Sequence, residues 1–102
     1  MPAFIEVEQL DRLAPEKGAA VTIGGNTVVL FKVGGVICAI EAWCLRCGAC
    51  LAEGCLQHGI IACCGCDWRY DVITGSVVGI PALRLHTFDT KVVGGQVIVA
   101  KA

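Results

Sequence analysis

Two Cys-x-x-Cys pairs, Cys44-Leu45-Arg46-Cys47 and Cys63-Cys64-Gly65-Cys66, stand fifteen residues apart in a chain of 102. That spacing lies within the four-cysteine metal pattern. Thiolates three residues apart on a tight turn converge on one ion while backbone N–H groups point at the sulfurs. Two such knuckles complete a tetrahedron with metal–sulfur bonds of about 2.3 Å. The candidate ligands are therefore Cys44, Cys47, Cys63 and Cys66. A pair of disulfides, or a thioredoxin-type redox pair, is the competing use of the motif. The redox version needs a helix N-terminus after a strand, and no such helix is legible here.

Compartment and charge narrow the choice. The opening Met1-Pro2-Ala3-Phe4-Ile5-Glu6 has no basic stretch followed by an apolar run, and no apolar run reaches the roughly eighteen residues of a spanning helix. A cytoplasmic protein is expected, with no membrane partner. In that compartment the eight cysteines favour metal ligation over a disulfide framework. Eight Lys and Arg against nine Asp and Glu leave no basic footprint for nucleic acid. The length suits one domain with one modest core, spanning residues 1–102.

Three Gly-Gly pairs punctuate β-type sequence, at Gly24-Gly25, Gly34-Gly35 and Gly94-Gly95. Each reads as a two-residue hairpin, because the primed turns that match strand twist need a positive φ that a Cβ resists. The strands so bounded include Val28–Phe31, Val36–Ile40 and Val97–Ala100, and the first is apolar throughout, as a strand buried on both faces would be. Only Val7 to Lys17, ended by Pro15, hints at a helical turn. Between Trp43 and Gly75 the alternation breaks down, and seven of the eight cysteines and both tryptophans gather. The expected organisation is an antiparallel β base formed by 1–42 and 76–102, with a metal-binding lobe, 43–75, inserted after the first part and closed by a turn at Thr74-Gly75.

The lobe resembles the cluster-binding loops of Rieske-type ferredoxins. Those loops read C-x-H-x-G-x-x-L-x-x-G and C-x-x-H-x-W-x-F-D-x-x-T-G. The matching stretches run from Cys44 through Leu51 to Gly54 and from Cys63 through Trp68, Tyr70 and Asp71 to Gly75. The resemblance extends through Pro81-Ala82-Leu83 to the last hairpin and back to Gly35 and Ala39. It implies a Rieske-like antiparallel β sandwich or barrel with an inserted lobe of two loops. It also implies a role as the ferredoxin component of an oxygenase, or as the small subunit of a nitrite-reductase-type complex, rather than as an enzyme.

Both histidines that define a Rieske centre are replaced: Arg46 stands at the first position and Cys66 at the second. Arginine stays cationic and offers no lone pair to a metal, so Cys47, one residue on, is the natural substitute. The shift turns C-x-H into the Cys-x-x-Cys knuckle of rubredoxins and zinc ribbons. The favoured cofactor is a single iron held by four cysteines; an all-cysteine [2Fe-2S] cluster is the runner-up, and zinc can substitute. All-cysteine [2Fe-2S] centres lie near about −400 mV, well below Rieske centres, and no imidazole remains in the first shell to make the potential pH-dependent. The function expected is one-electron transfer between redox partner proteins. The competing reading is a zinc-stabilised or metal-free binding subunit of an oxygenase or reductase.

The remaining residues have secondary parts. Cys50 and Cys64, inside the loops, are possible alternative ligands or a loop–loop disulfide. Cys38 reads as a buried inert thiol, Cys55 as uninvolved, His58 as a turn residue and His86 as an exposed strand residue. Trp68 is a candidate to shield the site, and Tyr70 reads as core packing. Leu45, Ala49 and Arg46 form a collar for partner docking around the first loop.

Overall fold

The computed structural model describes residues 3–6, 17–23 and 25–101. Six strands form one antiparallel sheet: β1 (Ala3–Glu6), β2 (Ala19–Ile23), β3 (Asn26–Val33), β4 (Val36–Glu41), β10 (Thr87–Val93) and β11 (Gln96–Lys101), in the order β1-β11-β10-β4-β3-β2. Five shorter strands form a second: β5 (Cys55–Gln57), β6 (Ile60–Ala62), β7 (Arg69–Asp71), β8 (Ser76–Val77) and β9 (Ile80–Arg84), paired in chain order. Among the described residues the helical structure is one 3-10 turn, Leu51–Glu53. The helical turn expected over Val7–Lys17 lies outside the described residues, apart from Lys17.

The glycine pairs sit where the hairpins are. Val33 pairs with Val36 across Gly34-Gly35, at φ 54° and 81°, and Val93 pairs with Gln96 across Gly94-Gly95, at 57° and 79°. Ile23 faces Asn26 across the loop that contains Gly25. A fourth tight turn joins β5 to β6 through His58-Gly59, with φ 53° at the histidine. His58 is thus an exposed turn residue in a left-handed conformation.

β3 is buried on both faces. Val28 and Leu30 pack with Ala39, Val97 and Val99 inside the curl of the first sheet, whose edge strands β1 and β2 lie against each other. Val29 and Phe31 point the other way, into a larger core shared with Ile40, Leu51, Leu56, Ile61, Tyr70, Val72 and Leu85. This second core fills the space between the sheets and extends beneath the two cysteine-bearing loops. Cys44 and Cys63 are themselves members of it.

The lobe is a sheet in its own right, and it runs further than the composition implies. After the turn at Gly75, β8 pairs with β7 at Val77 and Tyr70, and β9 extends that sheet to Arg84; the chain rejoins the first sheet only at Thr87, opposite Ile40.

Candidate metal centre

The first loop is a pinned hairpin. Cys44 N–H donates to the Ala49 carbonyl at 2.9 Å, Gly48 N–H donates back to the Cys44 carbonyl at 3.0 Å, and Leu51 N–H bonds the Ala42 carbonyl at 2.7 Å. Gly48 supplies the positive φ, 76°, that the reversal requires. The second loop leaves β6 at Ala62 and returns as β7 at Arg69, closed by Cys63 N–H on the Trp68 carbonyl at 3.0 Å. Two short reversals on adjacent parts of the core therefore aim their cysteines at each other.

The four sulfurs of Cys44, Cys47, Cys63 and Cys66 all lie within 4.8 Å of one another. Cys47 Sγ is 3.4 Å from Cys63 Sγ, and Cys44 Sγ is 3.7 Å from Cys66 Sγ. Each close pair joins one loop to the other, so the quartet is a single cluster. Its depth is graded: Cys44 and Cys63 are buried, Cys66 is half-buried and Cys47 is exposed.

Tyr70 is part of this site. Its ring is completely buried, and its hydroxyl accepts the Leu45 N–H at 2.9 Å and lies 3.3 Å from Cys44 Sγ, to which it donates when that sulfur is a thiolate. Gly65 N–H donates to Cys63 Sγ at 3.4 Å. Burial opposes the charge on Cys44, but the hydrogen bonds from Tyr70 and from the Cys47 and Arg46 backbone outweigh it and bring the thiol down to about 6. Burial pushes Cys63 up to about 12, against the Gly65 N–H. The Trp68 backbone N–H works to lower Cys66, but burial and the sulfurs of Cys44 and Cys47 together raise it. Burial and the facing Cys44 sulfur raise Tyr70, which keeps its donor proton. Packing alone is therefore too small a role for Tyr70. The signal that could have revealed it was the single tyrosine of the chain, placed one strand beneath a cysteine loop.

The other residues singled out from sequence fall around the quartet. Cys50 is half-buried, with a free thiol, on the bridge pairing it to Trp43, and Cys64 is exposed and free. Cys55 is exposed and Cys38 buried, its pKa raised by burial and by Asp71. Leu45 is 50 % exposed, while Ala49 and Trp68 are half-buried against the core beneath the loops. The Arg46 guanidinium stands 6.0 Å over the Trp68 ring, so a cation–π contact joins loop to loop. His86 is exposed, and its backbone N–H donates to Glu41 Oε1 at 2.6 Å.

A β domain of two sheets with a pair of facing, metal-type loops at one end is of the Rieske class. The description of the Rieske [2Fe-2S] domain matches residues 3–89, and the chain belongs to that family. The ferredoxin component of the alkene monooxygenase system of Xanthobacter autotrophicus is 27 % identical over 97 residues, covering 94 % of this chain and 80 % of that protein. The ferredoxin of carbazole 1,9a-dioxygenase from Nocardioides aromaticivorans is 28 % identical, with a TM-score of 0.83 over 100 % of this chain and 99 % of its own. A chain from a complex of reduced oxygenase and oxidized ferredoxin in carbazole 1,9a-dioxygenase is also 28 % identical, with a TM-score of 0.78 over 89 % of this chain and 95 % of that one. No helix among the described residues is long and apolar enough to cross a membrane.

The donor set does not fit the family's own cluster. A two-cysteine, two-histidine centre needs imidazoles, and the two histidines of the chain, His58 and His86, lie outside the quartet. Four thiolates fit a soft or borderline ion that prefers sulfur in a tetrahedron.

Proposed function

We propose that this protein is a one-electron carrier, a ferredoxin-type component that serves an oxygenase or reductase, and that Cys44, Cys47, Cys63 and Cys66 hold a single iron. The observation that carries the reading is the compactness of the quartet. A tetrahedron with metal–sulfur bonds of about 2.3 Å has edges of about 3.8 Å; the Cys47–Cys63 and Cys44–Cys66 sulfur pairs stand at 3.4 and 3.7 Å, and none of the four sulfurs is more than 4.8 Å from another. A two-iron core would set bridging sulfides between two pairs of thiolates and spread ligands on different irons beyond one tetrahedron's edge. Iron held by four thiolates exchanges one electron between its ferric and ferrous states.

The chain's own residues supply the setting for that exchange. The second core keeps water from Cys44 and Cys63, and Tyr70 and Gly65 donate to their sulfurs. Cys47 and Leu45 present the exposed edge, where a partner protein can come within tunnelling distance. The likeness to ferredoxins of an alkene monooxygenase system and a carbazole dioxygenase supports a redox partner of the oxygenase or reductase kind.

Iron, zinc and acid-labile sulfide measured per chain on anaerobically purified protein test the reading. One iron without sulfide, with a ferric signal that dithionite removes, is the expected result. Two irons with two sulfides would replace it with an all-cysteine [2Fe-2S] ferredoxin. Zinc alone after iron-replete growth would make the site structural and end the electron-transfer reading. Cys47→Ser should abolish the native visible spectrum; an unchanged spectrum would remove Cys47 from the ligand set.

A further inference from the structure

We infer that Gly65 is the residue that lets Cys47 serve as the fourth ligand: its bare Cα leaves open the space into which the Cys47 sulfur fits. The inference rests on the four-thiolate reading above and adds a specificity-determining position outside the cysteines.

A Cβ built at Gly65 would lie 3.0 Å from Cys47 Sγ, 3.1 Å from Ala49 Cβ and 4.0 Å from Cys63 Sγ. Non-bonded heavy atoms rest at about 3.5–4.0 Å, so both near neighbours would have to retreat. The Cys47 sulfur has little freedom to do so. It stands 3.4 Å from Cys63 Sγ, and moving outward would open the quartet on its exposed side. Nor is Gly65 free to yield, since its own N–H donates to Cys63 Sγ.

Backbone conformation does not explain this glycine. Gly48, on the facing loop, has a φ of 76° and open space where a Cβ would go, so there the backbone is the reason for glycine. Gly65 is absent from the positive-φ glycines, and close approach to the other loop accounts for it instead. Residues 47 and 65 therefore act as a matched pair: a first-loop ligand at Cys47 requires a second loop with no side chain at 65.

The test uses metal-free protein titrated with Co2+, whose charge-transfer bands report thiolate ligation, followed by iodoacetamide labelling of the loaded protein and mapping of the alkylated cysteines. Gly65→Ala should weaken Co2+ binding by about tenfold or more. It should also make Cys47 reactive while Cys44, Cys63 and Cys66 stay protected. Adding Ala49→Gly to Gly65→Ala, which relieves the carbon contact but not the sulfur one, should leave the defect in place. Wild-type affinity with Cys47 protected in Gly65→Ala, or rescue by Ala49→Gly, would overturn the inference. Wild-type protein that fails to bind Co2+ would instead overturn the four-thiolate reading beneath it. If Gly65→Ala alone does not fold, Cys47→Ala/Ala49→Gly and Cys47→Ala/Ala49→Gly/Gly65→Ala should melt at the same temperature, both tight contacts being gone; a further loss in the triple variant would place the constraint elsewhere.

Discussion

At the scale of single residues, the contact between Tyr70 and Cys44 joins core to site. The hydroxyl donates to a sulfur that becomes more electron-rich on reduction, so it favours the reduced state. Tyr70→Phe in the iron-loaded protein should lower the reduction potential, by about 1 kcal/mol or roughly 40 mV for one electron. It also strands the Leu45 N–H. A potential unchanged in protein-film voltammetry would show that the hydroxyl does not reach the sulfur. The thiol pKa values make a second prediction. Metal displaces protons from thiols, so affinity rises with pH. Near neutrality Cys44, at about 6, is already ionised, whereas Cys63, at about 12, and Cys66, raised, are not. Those two protons alone should make metal affinity rise about a hundredfold per pH unit between pH 7 and 8, and more steeply still below pH 6, where Cys44 also takes a proton. Co2+ titration of the metal-free protein across that range measures the slope.

At the scale of elements, the hairpins were legible because glycine pairs at positive φ leave a mark in sequence, and the buried β3 because its apolar run is unbroken. The gathering of Cys44, Cys47, Cys63 and Cys66 was legible through their spacing. The extent of the lobe was not. Ser76–Val77 is only two residues long and Ile80–Arg84 is exposed throughout, and nothing in such residues says which of two sheets they will join. Tyr70 was half legible: its strand position was clear, but its bond to Cys44 depends on a loop twenty-six residues away in sequence. Close packing at the junction of elements gives the next prediction. Gly54, between the 3-10 turn and β5, has an extended backbone that any residue could adopt, yet a Cβ there would overlap the Ala62 carbonyl. Gly54→Ala should destabilise the fold by about 1–3 kcal/mol in denaturant titration. Lys17 holds the same junction from outside, its Nζ donating to the Glu53 and Gly54 carbonyls at 3.3 and 3.2 Å.

At the scale of the whole molecule, the second sheet depends on what crosses its end. Its strands β5, β6, β7 and β8 have only two or three residues each, too few to stand without support. The support is the shared core and, at the end of the sheet, the cysteine loop that joins β6 to β7. Metal removal by a chelator under reducing conditions should therefore lower the melting temperature, by about 4–8 °C for each kcal/mol of binding free energy lost at the transition. The first sheet, with its own core of Val28, Leu30, Ala39, Val97 and Val99, should be less affected, and hydrogen exchange should show the loss concentrated in residues 55–84.

The grading of the cysteines, from buried Cys44 and Cys63 to exposed Cys47, has one more consequence. A carrier whose centre opens to the outside on one flank has a single terminal rather than a through-wire. Its electron must leave by the side through which it came. Donor and acceptor would then compete for one footprint, and the protein would have to release the first before it could meet the second. Traffic through such a carrier is set by how readily it lets go, so its complexes should be short-lived, and binding either partner more tightly would slow the flow.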